Sequence, residues 1–82
     1  MHLAKIQVVL KPSVLDPQGQ AVKHSVESMN FKGIEDIRIG KYIELKIDEK
    51  DSNKAKSLAD DLCKKILVNP VIETYFLEIV SI

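Results

Sequence analysis

Few side chains in this sequence could do chemistry, and they are scattered. His2 and His24 are the only histidines, and Cys63 is the only cysteine among 82 residues. Neither their spacing nor the faces they occupy assemble a metal set or a nucleophile–base pair, so no catalytic, metal-ligating or cofactor-binding residue is assigned. His24 reads as a solvated helix residue and His2 as a terminal one. Cys63 falls on an apolar helical face, where a thiol behaves as a small hydrophobe. Asp16 could serve as a base or a ligand, but an aspartate directly before Pro17 is most simply a helix N-cap. Pro17-Gln18-Gly19 lacks the repeated glycines of a phosphate cradle. Arg38 and Lys41 could grip a phosphate or an acidic group of a partner, or form the solvated tip of a turn.

The elements carrying these residues follow from periodicity. Ala4, Ile6, Val8 and Leu10 alternate with Lys5, Gln7, Val9 and Lys11, a half-buried strand that Pro12 stops. Asp16-Pro17 opens a helix in which Val22, Val26 and Met29 recur at i, i+4 and i+7, predicting one buried stripe and an end between Asn30 and Gly33. Gly19 in its first turn suggests close approach by another stretch of backbone. Glu35 to Ile47 alternates on both sides of Gly40 and predicts a hairpin with Gly40, Lys41 and Tyr42 as its loop. Ile39 then pairs with Ile43, Ile37 with Leu45 and Glu35 with Ile47. Gly40 becomes the residue most free to take positive φ, and Arg38, Lys41 and Glu44 point away from the core.

A second helix, capped by Asp51, Ser52 or Asn53, puts Ala55, Leu58, Ala59, Leu62, Cys63 and Ile66 on one face and stops at Asn69-Pro70. The last strand, from about Ile72 to Val80, carries Tyr75, Leu77 and Ile79 on one face and Phe76, Val80 and Ile82 on the other. Residues 1–82 therefore predict a single α+β domain of the ferredoxin-like split βαβ type (βαββαβ). This is a four-stranded antiparallel sheet in the order 4-1-3-2 with two helices on one face. Helices on one face leave the second apolar row uncovered, which makes Phe76 and Val80 the candidates for self-association.

Lysine and arginine number 12 and aspartate and glutamate 12, so the formal charge is zero and no general attraction to nucleic acid or an anionic membrane is implied. No stretch approaches the roughly 20 apolar residues of a membrane span. A lone cysteine makes no internal disulfide, which points to a reducing compartment, the cytoplasm.

Three separated motifs add what periodicity cannot: Val14-Leu15-Asp16-Pro17-Gln18-Gly19, Asp36-Ile37-Arg38-Ile39-Gly40-Lys41, and Leu67-Val68-Asn69-Pro70-Val71-Ile72-Glu73 with Tyr75. Along essentially its whole length the chain resembles the PurS family, the small subunits of multi-chain phosphoribosylformylglycinamidine synthase. The resemblance implies a non-catalytic homo-oligomer, dimer or tetramer, that joins a large amidine-forming subunit, PurL, and a glutaminase subunit, PurQ, in purine biosynthesis. The glutaminase releases ammonia, the large subunit uses ATP and magnesium to activate the substrate amide, and the small subunit bridges them without a cofactor of its own. Asp16, Gln18, Gly19, Arg38, Gly40 and Lys41 become the candidate contacts with partner subunits. The rival readings are a small-molecule sensor domain and a cofactor-free isomerase on the same fold, the latter needing Asp16 or His24 as its acid–base group.

Overall fold

Strand β1, His2–Leu10, lies at the centre of a three-stranded antiparallel sheet in the order β2-β1-β3, with β2 spanning Lys41–Ile47 and β3 spanning Glu73–Ser81. The computed structural model describes residues Met1–Ile82. Register follows from burial: Ile6 stands opposite Ile43 and Leu77, and Ala4 opposite Leu45 and Ile79, so one face of the sheet carries continuous apolar rows. Helix α2, Ser52–Leu62, and the π-helical turn Cys63–Leu67 that prolongs it lie across this face. Asp51 caps α2 by accepting the amide of Asn53 at 2.8 Å. Small residues permit the close approach. Ala4, Ala55 and Ala59 are completely buried in one cluster, and Ile6, Val8 and Cys63 form the centre of the other.

The opposite face matches the alternation in β3 read from the sequence. Phe76 is 63% exposed and Val80 half-buried. Gln7 stands between Tyr42 and Phe76, and Lys5 between Glu44 and Glu78.

Two expectations are overturned. The hairpin at Gly40 does not form. Residues 34–40 belong to no strand, Lys41 begins β2, and β2 pairs with β1 rather than with the residues before it. The cause lies in hydrogen bonds that periodicity cannot report, because the amide of Ile39 is taken by the carboxylate of Asp16 instead of a neighbouring strand. The sheet therefore has three consecutive strands of the expected order, 4-1-3, and lacks the second strand at the edge. Gly40 is also not left-handed; the positive-φ residues are Asn30 and Gly33.

The second correction concerns α1, Pro17–Ser28, which was expected to bury its stripe on the same face as α2. It packs on neither face of the sheet. Val22 and Met29 are exposed and Val26 is only half-buried. Residues 11–40 instead form a finger inserted between two adjacent antiparallel strands. The radius of gyration records it: 16.3 Å, with a longest dimension of 50 Å, against roughly 12 Å for a compact chain of this length.

Candidate functional site

The three sequence motifs converge at one end of the sheet, where the finger leaves it. Asp16 is buried at 3% exposure, and each of its carboxylate oxygens accepts a backbone amide: Oδ1 from Gly19 at 2.9 Å and Oδ2 from Ile39 at 2.7 Å. The first bond caps α1, while the second ties the outgoing limb of the finger to the returning one. Arg38 closes the clasp from the other side, its guanidinium donating to the carbonyls of Lys11 and Val14, both at 3.0 Å. The two amides and the nearby guanidinium hold the Asp16 carboxyl below the usual aspartate range, the Gly19 amide contributing most.

Gly19 lets the two limbs come this close, and Gly40 lets the returning limb lie against β1. A Cβ on Gly19 would run into the carbonyl oxygen of Ile37, and one on Gly40 would lie 2.5 Å from the carbonyl oxygen of Val8. The approach expected at Gly19 is thus found, and Gly40 is required for closeness rather than for a turn.

The third motif joins through Lys11 and Lys41. Lys11 donates its amide to the carbonyl of Ile72 and its Nζ to that of Pro70, both at 2.8 Å. Lys41 Nζ lies 3.6 Å from Glu73 Oε2, whose other oxygen accepts the amide of Asn69 at 2.8 Å. Asn69-Pro70 ends the helical stretch, and Asn69 accepts the amide of Val71 through its side chain and those of Ile72 and Glu73 through its carbonyl. This turn leaves Val71 protruding at 77% exposure, on the same junction as Leu15 at 73%.

Of the six candidate contact residues, the structure therefore assembles Asp16, Gly19, Arg38, Gly40 and Lys41 into one junction, while Gln18 lies exposed on the first turn of α1. Phe76 and Val80 stand apart from it, on the outer face of the sheet.

The family model for PurS, phosphoribosylformylglycinamidine (FGAM) synthase, matches residues 3–81. The chain belongs to the PurS family. The Bacillus subtilis PurS subunit of phosphoribosylformylglycinamidine synthase is 47% identical to this family member over 79 residues, covering 96% of this chain and 93% of the relative. The Synechocystis PurS subunit is 42% identical over 95% of this chain and 78% of its own length. Among solved structures, PurS of Methanocaldococcus jannaschii superposes with a TM-score of 0.88 at 30% identity, covering 100% of this chain and 99% of that one. A chain of the Thermotoga maritima PurLQS structure does so with a TM-score of 0.85 at 25% identity, covering 98% and 99%. The finger thus belongs to a fold shared with solved PurS chains.

No three His, Cys, Asp or Glu residues come together to hold a metal ion, and no helix is long and apolar enough to cross a membrane. Cys63 is buried, and desolvation pushes its thiol up, away from the reactive thiolate. His24 is exposed, as read from the sequence.

Two contacts lay beyond sequence reading. His2 is buried at 6% exposure, with Nδ1 2.6 Å from the carbonyl oxygen of Glu49. The hydroxyl of Tyr75 donates to Asp60 Oδ1 in a short hydrogen bond, and Asp60 also pairs with Lys64 at 3.0 Å. That bond pushes Tyr75 up to about 12. Both join residues far apart in sequence, which no local pattern signals.

Proposed function

We propose that this chain is the bridging subunit of a phosphoribosylformylglycinamidine synthase. It takes no part in bond making and assembles with a PurL amidine-forming subunit and a PurQ glutaminase in the cytoplasm, where its free buried thiol stays reduced. It binds no cofactor; ATP and magnesium belong to the large subunit's chemistry. Its work is to hold the ammonia-releasing and ammonia-consuming subunits in register, which requires surfaces rather than reactive side chains.

The observation that carries this reading is the finger. An amphipathic helix whose apolar stripe is left exposed at Val22 and Met29 is built to be covered by another surface. The seat assigned to it is a shallow groove between β2 and α2, where Leu45, Ile47, Leu58 and Leu62 share the lining with the charged Lys46, Asp48, Glu49 and Lys54, and Leu58 is 48% exposed. In a symmetric pair, each α1 lies in the other copy's groove, and both apolar surfaces are buried at once. The outer face with Phe76 and Val80 then serves further self-association, and the clasp junction faces the partner subunits.

Reconstitution tests the function. The purified chain alone neither hydrolyses glutamine nor consumes ATP, whereas adding it to PurL and PurQ yields one co-eluting complex that makes the amidine from glutamine. Equal complex formation and equal glutamine-dependent turnover without the chain would remove the bridging role.

A further inference from the structure

The finger has two limbs, and they hold each other. The outgoing limb contributes the carboxylate of Asp16, which takes the amide of Ile39 on the returning limb. The returning limb contributes Arg38, which takes the carbonyls of Lys11 and Val14 on the outgoing one. Lys11, bonded to Pro70 and Ile72, fixes this crossed pair of ties to the turn that leads into β3. Beyond the root nothing sets the direction of the helix, because α1 packs on neither face of its own sheet.

The geometry points to Asp16 and Arg38 as positioning residues for assembly: they hold the finger at the angle that carries α1 away from its own groove and onto that of a second copy. The inference rests on the exchange of α1 proposed above. Two features show that the angle is specified rather than incidental. The Asp16 carboxylate and Arg38 Nη2 both bond backbone groups of the opposite limb or the cap, Gly19 removes the Cβ that would strike the carbonyl of Ile37 on the returning limb, and Gly40 removes the one that would push that limb off Val8 in β1. A loosened root frees α1 to sample its own groove. Self-closure then competes with exchange, since an intramolecular partner is present at high effective concentration.

The test combines a distance with an affinity. Spin labels are placed at exposed positions through His24→Cys on the finger and Lys46→Cys on the sheet, and labelled chains are diluted into unlabelled protein so that only the intramolecular distance is read. The wild-type distance distribution is expected to be narrow. Arg38→Ala should broaden it toward shorter distances and weaken self-association by about tenfold or more in sedimentation equilibrium, with the circular dichroism of the strands and helices retained. Arg38→Lys, which can still donate to either carbonyl, should recover part of both losses. Should Arg38→Ala fail to fold, Asp16→Asn replaces it, because its side-chain amide turns a donor toward one of the two backbone amides. An unchanged distribution, or a broadened one with unchanged affinity, overturns the positioning role. A monomeric wild type overturns the exchange reading beneath it.

Discussion

Asp16 accepts the amide of Ile39 at 2.7 Å across 23 intervening steps of sequence, while its other oxygen caps the helix that begins one residue later. One carboxylate thereby starts α1 and replaces the strand pairing that Ile39 would otherwise seek. Its ionisation is linked to folding. The folded carboxyl titrates below the unfolded value of about 3.9, so its contribution is complete above that pH and is lost as pH falls through the lower folded value. Asp16→Ala should therefore be less stable than wild type at pH 7. The gap measured by urea unfolding should narrow steadily below pH 4, and a gap independent of pH would show that the charge is not what binds the amides.

Glycine substitutions separate closeness from backbone conformation. Gly19→Ala and Gly40→Ala place a methyl against backbone carbonyls that cannot rotate away, with an expected cost of about 1–3 kcal/mol each. Gly33 differs: its φ is +88° and nothing lies within 4 Å of an added Cβ. There alanine should cost about 1–2 kcal/mol from left-handed strain alone, and Gly33→Asn should recover much of it. Chemical denaturation of the four variants checks the ranking; an asparagine at 19 or 40 should rescue nothing.

The parts legible in the sequence are those whose signal is local and whose partner lies in the same chain. Alternation in β1 and β3, the buried Ala55, Ala59 and Cys63 of the second helix and the cap at Asp16 appear where the sequence puts them, whereas Ile66, read onto the same helical face, is 74% exposed, because the π-helical turn Cys63–Leu67 changes the helical period and Val68 is buried instead. Ile37 and Ile39 show why the rest was not. Alternation reports that a segment is extended, but not which backbone accepts its hydrogen bonds, and here a side-chain carboxylate outcompetes a strand. Val22, Val26 and Met29 fail differently. Their stripe is real, but amphipathicity does not say whose surface covers it. The junction was legible only as three motifs, because Lys11, which links them, is an ordinary strand-end lysine in sequence.

Tyr75 offers a spectroscopic reading of the α2–β3 contact. Its hydroxyl donates to Asp60, which raises it to about 12, and Asp60 is lowered by that same bond and by Lys64. A raised folded value means that the contact stabilises fully below the unfolded tyrosine value of about 10 and is lost as pH rises through the folded one. In an absorbance titration Tyr75, isolated by Tyr42→Phe, should ionise near 12. In Asp60→Asn it should move back toward about 10. An unshifted titration in that variant would assign the elevation to burial, the second cause, instead of the carboxylate.

The two apolar surfaces left open by the fold predict different assembly defects. Val22 and Met29 are exposed on α1, so charging them should barely affect the isolated fold: surface changes stay within about 0.5 kcal/mol. If α1 is buried on a second copy, each side chain removed forfeits about 1.5–3 kcal/mol of apolar burial. Val22→Asp with Met29→Asp should then drive the protein to monomer at micromolar concentration. Phe76→Asp acts on the outer sheet face, beside Gln7 and across from Tyr42. It should leave the exchanged pair intact while removing any association beyond it. Sedimentation equilibrium of the two variants and wild type distinguishes the surfaces. A monomeric Phe76→Asp beside a dimeric α1 variant would reverse the assignment and make the sheet face the primary interface.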